Sequence, residues 1–353
     1  MAPTPIEIET QKHNLPLLAT RDACAGRTYI VTGANVGLGL EAAKHLVALG
    51  AAKVVLAVRN LSGGETAKAE IESATGVAPG VAEVWPLDLA SYASVKAFAK
   101  RAATELERID GLIENAAVAI TNRELAEGHV TAVTVNVLST FLLAALMLPV
   151  MREKAKKTGA LPRLVIVTSR VGFREEEIWA KIKHDPLVGM DDEQLETMRT
   201  LVFLSSTPGL ARWQGSANTR NRYPLSKLTE TMAVKHLAGN LLPVDKAGVV
   251  VNLVCPGFCV TKLIRNLPPD LHEHLTQQHV LYGRTAEDGS RTLLHGVVAG
   301  KETHGLLLHS CEIGEADVPD WANDDKEAQK RAWDVIAAEL EAVEPGCVSK
   351  MLQ

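Results

Sequence analysis

Short apolar runs alternate along this chain with stretches in which hydrophobic residues recur every three to four positions. The runs, rich in Val, Ile and Leu, predict strands over 29–32, 53–58, 83–87, 111–115, 164–168, 249–254 and 305–309. Helical periodicity predicts helices over 40–49, where Gly50 ends the pattern, and over 65–73, 94–107 and 225–240. Strands that are apolar without alternation are buried on both faces, and strand–helix alternation implies right-handed crossovers. The predicted fold is therefore α/β, a single doubly wound parallel sheet with helices on both faces. Ligands of such sheets bind beyond the carboxyl ends of the strands.

The segment 133–151 is apolar almost without a break and nearly long enough to cross a bilayer, but Asn136, Ser139, Thr140 and Pro149 interrupt it. A buried helix behind the sheet is expected there, with no transmembrane span. Composition then narrows the partner. At 46% hydrophobic and 22% charged residues, the 353-residue chain can bury a large core and is not expected to be disordered. A net charge of -5 with no basic stripe argues against nucleic acid or an anionic membrane surface and points to a small molecule. Five widely spaced cysteines do not make a disulfide framework, and Met1-Ala2-Pro3-Thr4-Pro5 lacks the basic and apolar regions of a secretory signal. A reducing, cytoplasmic location is the simpler expectation. No metal site is expected, because His272, Glu273 and His274 are too close to share a helical face, and Cys255 and Cys259 are expected to pack rather than react.

Two motifs far apart in the chain carry candidate chemistry. Thr32-Gly33-Ala34-Asn35-Val36-Gly37-Leu38-Gly39 leaves a predicted strand and opens a predicted helix, the setting in which a glycine turn seats a dinucleotide pyrophosphate. Gly33 permits the tight turn, Gly37 lets the backbone approach the phosphates, and Gly39 lets the helix pack close to the sheet. Tyr223-Pro224-Leu225-Ser226-Lys227 places a phenol and an ammonium one helical turn apart. The positive charge favours the phenolate and helps a group with an ordinary pKa of about 10 move a proton at neutral pH. Such a pair arises by chance in about one sequence of this kind in five, so its weight comes from the glycine turn. The second strand ends Ala57-Val58-Arg59-Asn60, without the carboxylate that would bind ribose hydroxyls and repel a 2'-phosphate. Arg59 either offers a guanidinium fork to that phosphate or is a solvated strand-end residue.

With these motifs the chain resembles the short-chain dehydrogenase/reductase family over roughly 25–312, in its retinol dehydrogenase-like, NADP-preferring branch. The motifs stand in the family's order: the 32–39 turn, Asp88 after a strand, Asn115-Ala116-Ala117, Asn136, Ser169, Tyr223-x-x-x-Lys227, and Pro256-Gly257 with Thr261. The resemblance implies a Rossmann-type fold and NADP(H) as cofactor. It implies a catalytic set in which Tyr223 moves the proton, Lys227 supports it, Ser169 donates to the carbonyl oxygen, and Asn136 holds a water linking Lys227 to solvent. Cofactor contacts are implied at Gly33, Asn35, Gly37, Leu38, Gly39, Arg59, Asp88, Leu89, Asn115, Tyr223, Lys227, Pro256, Gly257 and Thr261. Asp88 has a competing role as a cap near the helix that follows Ser91. The family's usual Asn-Asn-Ala-Gly stands here as Glu114-Asn115-Ala116-Ala117.

Three stretches exceed the family core: 1–26, 170–222 and 315–353, around and within a dehydrogenase domain spanning 27–314. The insertion 170–222 predicts helices over 175–183 and 192–204 and then a polar run to Asn221, and it carries Phe173, Trp179, Phe203 and Trp213. It reads either as a lid over a bulky, largely apolar substrate, such as a polycyclic or terpenoid-like secondary metabolite, or as cover over a helix face. Segment 328–336 predicts a docked amphipathic helix. The expected activity is NADPH-dependent reduction of a ketone or aldehyde, or its reverse, by a monomer or homodimer. The alternative is a cofactor-holding scaffold without net redox turnover.

Overall fold

Uninterrupted Val, Ile and Leu runs, favoured where a pleated surface is covered on both sides, build the sheet of this computed structural model, which describes residues 8, 10–121, 123–193, 195 and 222–353. The strands are β1 (Thr28–Thr32), β2 (Lys53–Val58), β3 (Ala82–Pro86), β4 (Gly111–Glu114), β5 (Arg163–Val167), β6 (Val250–Cys255), β7 (Leu307–His309) and β8 (Glu312–Ile313). They lie in the order β8-β7-β6-β5-β4-β1-β2-β3, all parallel except β8, which turns back antiparallel on β7. The chain runs from β1 outward to β3 and then crosses to β4 on the other side of β1. That reversal makes the carboxyl end of β1 and β4 the topological switch point, where such sheets bind ligands. Predicted and observed strands differ by a residue or two. The two-residue β8 and a small hairpin pairing Leu125–Ala126 with His129–Val130 were too short for a periodic signal.

Helices cover both faces. They include α1 (Gly37–Ala48), α2 (Leu61–Thr75), α3 (Tyr92–Glu105) and α4 (Ser139–Thr158), the last continuing a π-helical turn over Val133–Leu138. The most apolar window of Val133–Thr158 is 83% buried inside the protein, because it packs behind the sheet beside α3. The insertion contributes α5 (Glu176–Ile182) and α6 (Pro186–Asp191), and the later chain adds α7 (Tyr223–His236), α8 (Pro269–Tyr282) and α9 (Ala286–Val298). The predicted 192–204 helix falls almost wholly outside the described residues, as do Phe203, Trp213 and the polar run to Asn221. Phe173 and Trp179, expected over a substrate, belong instead to the main hydrophobic core, where both are buried.

The C-terminal residues form α10 (Lys326–Val343) and α11 (Cys347–Leu352), a longer helical unit than the periodicity of 328–336 predicts. Asp325 caps α10 by accepting from the Ala328 N–H. α10 lies along α7 and α11 along α4. Trp333 sits 3% exposed between them and meets Phe141 edge-on at 6.1 Å between ring centroids. With this cover in place, every residue of α7 from Pro224 to His236 is buried. Replacing Trp333 with alanine leaves a cavity under α10 and is expected to lower unfolding free energy by about 3–5 kcal/mol in a denaturant titration. A loss below about 1 kcal/mol would mean that α10 is a loosely held surface helix.

Candidate active site

A cleft of about 1020 Å³ opens at the carboxyl ends of the central strands. One end is built by the glycine turn. Gly33 and Gly37 hold φ values of +67° and +59°, and a Cβ on Gly39 would stand 2.6 Å from Asn115 Nδ2 and 2.8 Å from the Gly33 carbonyl. α1 starts after Val36, which has no side chain able to cap it, so its first-turn N–H groups remain for an anion in the cleft. Thr32 Oγ1 accepts from the N–H groups of Asn115 at 3.0 Å and Ala116 at 2.9 Å, and Asn115 Nδ2 donates to the Thr32 carbonyl at 2.9 Å. Asn115 thus fastens β1 to β4 while it lines the cleft.

Asn35, Leu38, exposed Arg59, Asp88 and Leu89 continue this wall. Asp88 Oδ1 accepts from the Ala90 N–H at 2.9 Å, while the N-cap of α3 is Ser91, so the capping role that competed for Asp88 belongs to its neighbour. On the opposite side stand Pro256, Gly257 and Thr261, in the loop after β6. Gly257 has φ +85°, and a Cβ there would collide with the Arg284 guanidinium. Arg284 is fully buried and holds the loop by donating to the Pro256 carbonyl at 2.7 Å.

Ser169, Tyr223 and Lys227 meet in the middle of the cleft. Tyr223 is the first residue of α7 and the only one on it that is partly exposed. Burial pushes its phenol pKa upward, the charge of Glu230 and the Cys255 thiol push the same way, and a hydrogen bond with the Ser169 side chain pulls it back. Lys227 Nζ lies 5.9 Å from the centre of the Tyr223 ring. It is only 3% exposed, donating to the Val167 carbonyl at 2.8 Å and to Glu230 Oε1 at 2.9 Å. Asn136 lies outside the cleft lining. Its Oδ1 accepts from the Val118 N–H at 2.9 Å, and its Nδ2 donates to the Val118 carbonyl at 3.0 Å and to Ser226 Oγ at 2.9 Å. The side chain that the resemblance gives to a water is therefore committed to the Val118 backbone and to α7.

Several cleft features have little or no sequence signal. Glu114 and Glu230 are both buried close to Lys227. Only the departure of Glu114 from the family's Asn marked either of them. Gln11, from the N-terminal extension, accepts from the Phe258 N–H at 3.0 Å and donates to its carbonyl at 3.0 Å. Ile264, Leu267 and Leu275, on or just before α8, form an apolar wall near Tyr223. The Tyr-x-x-x-Lys spacing also recurs at Tyr92 and Lys96 on α3, where Tyr92 is core and Lys96 pairs with Glu344 at 3.5 Å. Spacing alone does not separate the two pairs; Tyr223 lines the cleft and Tyr92 does not.

Residues 27–181 match the short chain dehydrogenase family model. The chain is 38% identical over 325 residues to Short chain dehydrogenase/reductase dmxR8 of Cryptosporiopsis sp. (strain 8999), covering 92% of this chain and 94% of that one. It is 33% identical over 329 residues to Short-chain dehydrogenase/reductase ffsI of Aspergillus flavipes, covering 93% and 89%. Among solved structures, a short-chain dehydrogenase from Sphingobium yanoikuyae in complex with NADPH matches the fold with a TM-score of 0.53 at 20% identity, over 80% of this chain and 87% of that one. The short chain dehydrogenase from Shigella flexneri gives 0.56 at 21%, over 85% and 96%. Sequence identity sustained over nearly the full length of both proteins, on a sheet of this topology, establishes that the chain belongs to the short-chain dehydrogenase/reductase family of oxidoreductases.

Proposed function

We propose that the protein is an NADPH-dependent carbonyl reductase of the retinol dehydrogenase-like branch, reversible as an alcohol dehydrogenase, acting on a bulky, largely apolar ketone or aldehyde. The observation that carries this reading is Tyr223, the one partly exposed residue of an otherwise buried helix, with Ser169 on its hydroxyl and Lys227 behind its ring. In the direction of reduction, Tyr223 gives its proton to the substrate oxygen, Ser169 donates a hydrogen bond to that oxygen, and Lys227 stabilises the phenolate left behind. Exclusion of bulk water from this end of the cleft strengthens each of these interactions.

The residues present fit a dinucleotide. The uncapped N-terminus of α1, the positive φ of Gly37 and the close packing at Gly39 make a cradle for a pyrophosphate. Asp88 and Leu89 would hold the adenine end, Asn115 the middle of the cleft, and Pro256, Gly257 and Thr261 the nicotinamide side. When bound, NADPH supplies the hydride. Arg59, exposed at the end of β2 with no carboxylate following that strand, would take the 2'-phosphate, and the Sphingobium neighbour solved with NADPH supports the preference. The division into a 27–314 dehydrogenase unit with N-terminal and C-terminal additions belongs to the same proposal. α10 and α11 lie over α7 and α4, which favours a monomer over a homodimer, and five free buried cysteines suit a reducing, cytoplasmic setting.

Tyr223→Phe removes the donor and little volume. Turnover is expected to fall by at least about a hundredfold while NADPH binding, followed by fluorescence titration, survives. Near-normal turnover would remove Tyr223 from the reaction. Arg59→Ala is expected to weaken NADPH by about 1.5–3 kcal/mol and to leave NADH nearly unchanged, and equal losses would count against a phosphate contact. On the substrate side, Leu267→Ala opens the apolar wall. Its kcat/KM for a bulky apolar ketone is expected to fall about tenfold or more, with an acetone-sized ketone little affected. A parallel change for both ketones would mean that the wall touches no substrate.

A further inference from the structure

Behind Tyr223 lie two carboxyl groups and one ammonium, all almost wholly out of water. Glu230 is fully buried and Lys227 and Glu114 are 3% and 4% exposed. They come from different elements that the sheet brings together. Glu114 ends β4 and pairs in register with Ile166 of β5, and the next carbonyl on β5, that of Val167, receives Lys227 Nζ. Lys227 Nζ also donates to Glu230 Oε1, one helical turn along α7. Both carboxyl oxygens of Glu114 are buried with no hydrogen-bond partner among the described residues.

Charge counting decides what such a cluster can hold. Two carboxylates against one ammonium would leave an uncompensated negative charge in the interior, which costs far more than keeping a proton on one acid. Glu230 touches the ammonium and Glu114 does not, so the ion pair stays with Glu230 and the proton with Glu114. We propose that Glu114 and Glu230 are positioning residues that together retain one proton and one negative charge behind Lys227, fixing its ammonium and setting the charge that Tyr223 works against. The proposal rests on the reading of Tyr223 as proton donor. The groups facing Glu230 are Lys227 and Tyr223 on its own helix and Glu114 from β4, with Cys255 of β6 facing Tyr223. Thr168 and Thr231, packed beside Lys227, carry no charge. Burial pushes both acids up, Glu230 to about 7 and Glu114 well above the usual carboxylate range, as expected for a pair that keeps a proton at neutral pH.

Two measurements on the full chain test this. The infrared spectrum of the wild type at neutral pH is expected to contain the carbonyl stretch of a protonated buried carboxyl, and Glu114→Gln, which is isosteric with the neutral acid and so should fold, is expected to lack it. Glu114→Gln/Glu230→Gln keeps an acceptor for Lys227 but removes both acids, so that no negative charge forms behind the phenol. The alkaline limb of its pH profile of kcat for reduction should then move to lower pH, by on the order of one unit. An unchanged infrared band in Glu114→Gln, or an unmoved alkaline limb in Glu114→Gln/Glu230→Gln, overturns the proposal. Tyr223→Phe is run beside them. If it retains turnover, the proton-donor reading falls and the link from the pair to Tyr223 falls with it, while the infrared band still decides whether the pair keeps a proton.

Discussion

A parallel sheet ends along one edge, and the backbone groups there have left the ladder and need other partners. This constraint organises the cleft. Thr32 Oγ1 takes two N–H groups beyond β4, Asn115 Nδ2 takes the carbonyl of Thr32, and Lys227 Nζ takes the carbonyl of Val167 at the end of β5. Asn115 and Lys227 were candidates for contact with cofactor or substrate, and each is also part of the sheet's own hydrogen bonding. A site built this way is held by the same interactions that end the strands, so its side chains are fixed before any ligand arrives.

α7 extends the argument from the sheet to the helices. A helix that carries an ammonium and a carboxylate would ordinarily turn those groups to water, but here α10 covers its outer side and Asn136 binds it through Ser226. Lys227 and Glu230 are therefore driven together in the interior, and only Tyr223, at the helix start, keeps partial exposure. No described residue of the C-terminal addition lines the cleft, yet that addition is what makes α7 an interior helix.

The strands were legible because burial on both faces selects continuous Val, Ile and Leu runs, and the glycine turn because only its residues satisfy the positive φ at Gly33 and Gly37. α8 and α9 were not. Pro268-Pro269 reads as a loop, the His, Gln and Glu residues that follow blur the apolar stripe, and α9 carries Gly289 and Gly296 inside it. Gly289 is there because a Cβ would collide with Cys259, a contact between segments that a sequence pattern does not reveal. Tyr92-x-x-x-Lys96 shows the opposite error, a motif with the right spacing on the wrong helix. Glu230 was invisible for a further reason: a Glu three residues after a Lys is an ordinary exposed pair until the fold buries it.

One side of the cleft depends on parts that the periodic pattern did not connect. Arg284 donates to the Lys12 carbonyl at 2.6 Å, to the Pro256 carbonyl and to Ser310 Oγ at 2.7 Å, so one guanidinium joins the N-terminal extension, the loop after β6 and the turn between β7 and β8. Oxygen dipoles rather than a carboxylate satisfy this buried cation, which needs all of them in place at once. Gln11 then closes on Phe258 from the same extension, and Asp288 accepts from the Leu15 N–H at 2.6 Å. The loop after β6 and the N-terminal extension, which lines the cleft at Gln11, are thus one unit. A change in the N-terminal residues reaches the site through Arg284 and Gln11, although the first of these is not itself part of the cleft lining and the second stands before the first strand.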